Sequence, residues 1–136
     1  MSLSLLANID VDDLERAEAF YVAALGLRVG RRFGGDVVEL LGATSPIYLL
    51  RKAAGSAAGE AIAQTRDYRR HWTGVHLDFV VPDLTLALRR AQEAGAVLEG
   101  EPRTAAWGRI ATLADPFGHG FCLLQFLGRG YDEIAH

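Results

Sequence analysis

Residues 8–14, "NIDVDDL", return 70 positions later as residues 78–84, "DFVVPDL", and that echo decides the fold. Upstream of each capping aspartate the residues alternate. In "LSLLANIDV" (3–11), Leu5, Ala7, Ile9 and Val11 fall on one face and Leu6, Asn8 and Asp10 on the other. In "VHLDFVV" (75–81), Val75, Leu77, Phe79 and Val81 oppose His76 and Asp78. Residues two apart share a face of an extended chain, so each stretch predicts a strand with one apolar face. Downstream the period changes. Asp12 or Asp13 can cap a helix whose stripe is Leu14, Ala17, Phe20, Tyr21, Ala24 and Leu25, ended by Gly26. Pro82 and Asp83 open a second helix, with Leu84, Ala87, Leu88 and Ala91 on its stripe and Gly95 at its end. A carboxylate at the N-cap accepts from amides that the first helical turn leaves without partners, and glycine tolerates the left-handed backbone that stops a helix.

Three further strand-like runs follow each helix: "LRVGRRF", "DVVELL" and "PIYLLR" in the first half, "AVLEG", "WGRIATLA" and "GFCLLQF" in the second. The last members correspond, Tyr48-Leu49-Leu50-Arg51 lying over Cys122-Leu123-Leu124-Gln125. Each half therefore predicts β-α-β-β-β. The chain is expected to be a single α+β domain of two tandem βαβββ modules, about 3–52 and 74–127, whose mixed sheets can join into a larger curved one. Residues 53–73 read as a linker, rich in Ala and Gly and then basic and aromatic, with room for one short helix.

Half of the residues are hydrophobic and 23% are charged, the balance of a folded chain. A net charge of -3 lacks the basic excess that a nucleic-acid surface needs. No apolar run approaches the roughly 18 residues of a membrane span. The first residues show neither a basic n-region nor a small-residue cleavage site. The expectation is a cytoplasmic protein without nucleic-acid or membrane partners. The single cysteine, Cys122, has no partner for an intramolecular disulfide, in keeping with a reducing compartment.

The strand faces carry the functional reading. If the apolar face of each opening strand packs on its helix, the opposite face presents Asn8, Asp10, His76 and Asp78 to water or to a ligand. Trp107 and Arg109 open the strand before the Asp115-Pro116 turn, where an aromatic surface and a guanidinium suit a planar or anionic ligand, or simply pack on the strand. Arg69, Arg70, His71 and Trp72 stand where a loop could cover a cleft. Cys122 reads as pocket lining. A nucleophilic role would need a depressed pKa, which His76 could supply.

"VDDLERAEAFYVAALGLRVG", its echo "HLDFVVPDLTLALRRAQEAGA" and the closing "LADPFGHGFCLLQ" together resemble the vicinal oxygen chelate superfamily. That group includes glyoxalase I, extradiol dioxygenases, fosfomycin-resistance enzymes and bleomycin-binding proteins. The resemblance runs from about Leu3 to Phe126 and implies the paired βαβββ glyoxalase fold, a cupped sheet and often a homodimer. In metal-dependent members, ligands come from the opening and final strands of each module. The matching positions here are Leu6, His76, Tyr48 and Cys122, with Cys122 standing where the family usually places a glutamate. Leu6 cannot ligate, and Glu39, the nearest acidic candidate, lies on a middle strand. No metal or other cofactor is therefore expected, with one divalent ion on His76 and Cys122 as the alternative.

The resulting expectation is a glyoxalase- or bleomycin-resistance-like homodimer that binds or sequesters a small organic molecule without metal. Its ligand-binding residues are expected to be Asn8, Asp10, Tyr48, His76, Asp78, Trp107, Arg109 and Cys122. The alternative is a lyase, isomerase or dioxygenase of the same superfamily. In it His76 would act as general base, and Arg109 or Tyr48 would stabilise an oxyanion.

Overall fold

The computed structural model describes residues 2–136. The chain divides into two compact units, which meet in sequence between Arg69 and Arg70. The first unit contains β1 (Ala7–Val11), α1 (Leu14–Leu25), β2 (Arg28–Phe33), β3 (Val37–Leu41), β4 (Ile47–Arg51), β5 (Ala57–Gly59) and β6 (Ile62–Thr65). The second contains β7 (Leu77–Val80), α2 (Leu84–Ala94), β8 (Val97–Leu98), β9 (Arg103–Ala105), β10 (Gly108–Ala114) and β11 (Gly120–Phe126), followed by a 3-10 turn, Gly130–Glu133. Each unit is a βαβββ-like module with its own mixed sheet, ordered β1-β4-β3-β2 in the first and β7-β11-β10-β8 in the second. The chain is thus an α+β protein, and neither helix is long and apolar enough to cross a membrane.

The internal echo extends to strand register. In the first unit the opening strand pairs in parallel with the last, Asn8 opposite Tyr48; in the second, Asp78 lies opposite Cys122. Asn8 and Asp78 are the repeat-related residues, and so are Tyr48 and Cys122. Their helices start alike: Asp13 Oδ1 accepts from Arg16 N at 3.0 Å and Asp83 Oδ1 accepts from Leu86 N at 3.1 Å. The second start has an extra tie, because Leu84 N donates to Gln125 Oε1 on β11 at 2.8 Å. Both helices stop at a left-handed glycine, Gly26 with φ 67° and Gly95 with φ 117°.

Each helix buries its stripe against one sheet face. Ala17, Phe20, Tyr21 and Ala24 of α1 are buried together with Val11, Val38, Leu40, Ile47 and Leu49 from the sheet of the same unit. In the second unit Leu84 and Ala91 are buried with Ala111, Leu113, Phe121 and Leu123. Removing a leucine such as Leu113 or Leu123 from water contributes about 1.5–3 kcal/mol, which is what holds helix to sheet.

Two expectations need correcting. The opening strands are shorter than 3–11 and 75–81, and Leu5 and Val75 are exposed rather than packed under the helices. The reason is the ladder: β4 begins at Ile47 opposite Ala7, so residues before Ala7 have no strand to pair with. The linker forms no helix; instead it folds into the β5-β6 hairpin. Arg66 secures it, its amide donating to Ser56 O at 2.8 Å and its Nε to Asp10 Oδ2 at 2.8 Å.

Candidate functional site

With α2 occupying one face of the second sheet, strand alternation assigns the other face. Leu77, Phe79, Phe121, Leu123, Gln125, Arg109, Ala111 and Leu113 share the helix-bearing side through their cross-strand pairs. Asp78, Cys122, Thr112 and Ile110 share the open side. There a cavity of about 300 Å³ is lined by Ile110, Thr112, Phe121 and Cys122 from the strands, His76 from just before β7, Arg103 from β9, and Arg70, Trp72 and Thr73 from the segment entering the unit.

That segment is held by the turn between β10 and β11. Asp115 is buried, and its Oδ1 accepts from Phe117 N at 2.8 Å and His119 N at 2.9 Å, closing the Asp-Pro turn on its own amides. Gly118, at φ 83°, takes the left-handed position that follows. Its carbonyl then accepts from His71 N at 3.1 Å, and the imidazoles of His71 and His119 share a hydrogen bond at 3.1 Å. Arg70 makes two bonds to Glu99, Nε to Oε2 at 2.7 Å and Nη2 to Oε1 at 2.9 Å, and this guanidinium holds the Glu99 carboxyl below its ordinary range. The arginine lies so close over β11 that a Cβ at position 120 would come within 2.6 Å of its Nη2, so a side chain there would push the guanidinium aside. Trp72 is left 87% exposed at the cavity.

Of the lining residues, His76 lies with its Nε2 3.3 Å from Oδ1 of neighbouring Asp78, and Thr112 Oγ1 lies 3.6 Å from Cys122 Sγ. Burial pushes the Cys122 thiol up; the Thr112 hydroxyl opposes that rise and the Asp78 charge adds to it. This is the reverse of what a poised nucleophile needs. Ligand atoms of His76, Asp78 and Cys122 all fall within 4.8 Å of one another, the one such three-residue group among the described residues. Imidazole, carboxylate and thiolate together suit a borderline-soft divalent ion such as zinc, so in donor chemistry this trio fits the metal that the superfamily implies. Within the second unit the third donor is Asp78.

Of the other expected residues, Asn8, Asp10 and Tyr48 belong to the first unit and Trp107 and Arg109 to the second. Tyr48 Oη donates to Glu39 Oε2 at 2.9 Å, and Arg31 grips the same carboxylate through Nη2 at 2.7 Å and its own backbone amide at 3.0 Å. Glu39 is thereby held down to about 2, the Arg31 side chain and then its amide being the main causes. Asp10 is engaged by Arg66 at 2.8 Å, and Asn8 is exposed on β1. Trp107 packs on Tyr131, ring centroids 5.4 Å apart. Arg109, on the helix-bearing face, reaches Thr85 Oγ1 at 3.4 Å. Within the second unit the structure therefore brings together His76, Asp78 and Cys122, and not Trp107 or Arg109. It adds Arg103 and Thr112, which sequence reasoning passed over. Thr112 was discoverable as a polar residue in register with Cys122, whereas Arg103 sits on a three-residue strand that has no apolar alternation to announce it.

Comparison with known proteins agrees with this architecture. The model of the glyoxalase-like domain matches residues 7–124. The anthracycline biosynthesis protein DauV of Streptomyces sp. (strain C5) is 33% identical over 127 residues, covering 91% of this chain. The chain spans only 41% of DauV's length. Among solved structures, TnmS3, an antibiotic binding protein from Streptomyces sp. CB03234, is 25% identical with a TM-score of 0.65, covering 93% of this chain and 98% of its own. FosX, a fosfomycin resistance protein from Listeria monocytogenes, has the same fold at 18% identity, with a TM-score of 0.72 over 99% of both chains. The paired modules, the matching register within each and the match across nearly the whole chain show that this protein belongs to the glyoxalase-like domain family.

Proposed function

We propose that the chain binds a small organic molecule in the cavity of its second unit and does so without a metal ion. The observation that carries this reading is the cavity itself. At about 300 Å³ it is at the lower end of the size range of ligand pockets, and its apolar floor with a few polar groups at the wall is their usual composition. The antibiotic-binding relative TnmS3 and the biosynthetic relative DauV support a natural-product ligand. A homodimer, as the family resemblance implies, belongs to the same reading, and light scattering at twice the chain mass checks it. The test of function is calorimetric titration of chelator-treated protein with a small-molecule library selected by thermal shift. Saturable, one-to-one binding that survives chelation is expected; binding only after metal is restored, or none, would overturn the reading.

A second reading, a metal-dependent enzyme of the superfamily, is favoured by one observation, the grouping of His76, Asp78 and Cys122 within 4.8 Å. Those residues would hold the ion, and the ion would polarise an oxygen of the bound molecule. Titration of wild type and His76→Ala with Zn²⁺, Ni²⁺, Mn²⁺ and Fe²⁺ decides between the two. Stoichiometric binding abolished by the substitution supports the enzyme; absence of binding in both proteins supports the metal-free binder.

A further inference from the structure

We propose that the ligand is a planar aromatic anion, with Arg103 as the cation that receives its charge and Trp72 as the ring that covers its face; this rests on the binding reading above. The lining of the cavity includes two guanidinium groups, Arg70 and Arg103, and no aspartate or glutamate, in a chain whose net charge is -3. Of the two carboxylates nearby, Glu99 is bound by Nε and Nη2 of Arg70, and Asp78 lies 3.3 Å from His76 Nε2. Arg70 is thus neutralised in place. Arg103 has no ion pair among the described residues, and it lines the cavity together with Thr112 and Cys122. A guanidinium presents a planar fork that matches a carboxylate with two parallel hydrogen bonds.

The rest of the wall selects shape. Ile110 and Cys122 give an apolar floor for an aromatic ring to pack on. Trp72, 87% exposed at the cavity, contributes an indole with no packing role of its own to fulfil. Aromatic faces stack on one another, and an exposed indole beside a cavity gains from doing so. A volume of about 300 Å³ suits a fused pair of rings better than a larger polycycle within this unit.

The test uses three probes of one shape on the full chain: 2-naphthoate, 2-naphthamide and 2-naphthylmethylammonium, titrated calorimetrically into wild type, Arg103→Gln and Trp72→Ala. Both side chains are exposed, so neither substitution threatens folding. The expected result is that wild type prefers the anion. Arg103→Gln should weaken 2-naphthoate about 10- to 100-fold and leave the amide unchanged. Trp72→Ala should weaken the anion and the amide alike, about 2- to 10-fold. Equal affinity for anion and cation, or 2-naphthoate binding untouched by Arg103→Gln, would overturn the inference. If the amide or the ammonium binds while 2-naphthoate is silent, the charge assignment fails and small-molecule binding stands. If all three probes and the wider library are silent, both fail.

Discussion

Replacing Asp115 by alanine removes the acceptor around which the β10-β11 turn is built. Its Oδ1 takes the amides of Phe117 at 2.8 Å and His119 at 2.9 Å, and Phe117 is fully buried, so water cannot replace the lost bond there. Leaving a buried donor unsatisfied costs about 1–3 kcal/mol, and the half-buried His119 amide, which can rehydrate in part, costs less. The sum is about 2–4 kcal/mol, a large part of the ~5–15 kcal/mol that stabilises a typical domain. Asp115→Asn keeps a side-chain oxygen in the same place and loses only the charge, so it should cost about 1 kcal/mol. Urea unfolding followed by tryptophan fluorescence reads both, as a shift of midpoint at unchanged slope. A cost below about 1 kcal/mol for alanine, or equal costs for the two variants, would refute the reasoning. The turn also positions Gly118, whose carbonyl holds His71, so Asp115→Ala should loosen the segment carrying Arg70 and Trp72 and weaken ligand binding beyond its effect on stability.

Two further predictions concern titration and reactivity. Glu39 has its folded pKa depressed from 4.5 to about 2, so the Arg31-Glu39-Tyr48 network contributes its full stabilisation above about pH 4.5 and loses it as pH falls through about 2. Urea midpoints measured from pH 5 to pH 2 should therefore fall less steeply in Glu39→Gln than in wild type, and parallel curves would contradict the assignment. Cys122, buried and with its thiol pushed up, should alkylate with iodoacetamide at pH 7.5 far more slowly in the native protein than in denaturant. A native rate equal to that of the unfolded chain would restore the nucleophile reading.

Much of the site was legible in the sequence wherever it depended on the repeat. His76 and Asp78 were readable as the polar face of an opening strand, and Cys122 as its counterpart on the closing strand, because alternation and the displacement of the echo locate all three. Tyr48 was placed on the same face of its own module by the same logic, yet its hydroxyl is committed to Glu39. Nothing in the local pattern says that Arg31 on β2 and Glu39 on β3 will meet beneath it, since that depends on antiparallel pairing and a register shift between Val29 and Arg32. Arg109 failed for a related reason. Its parity along β10 puts it opposite Gln125, on the side that α2 covers, and that parity became known only once the ladder was fixed.

The sequence by itself determined the elements, their order and the duplication, because helix period, strand alternation, capping aspartates and terminating glycines act through neighbours a few residues apart. The tertiary structure decided which polar groups neutralise one another and which remain to meet a ligand. Arg70 goes to Glu99, 29 positions away, and Asp10 to Arg66, 56 positions away, while Arg103 is left at the cavity with no ion pair among the described residues. Such pairings depend on where distant strands and loops come to rest, and a charge has no preferred partner until they do.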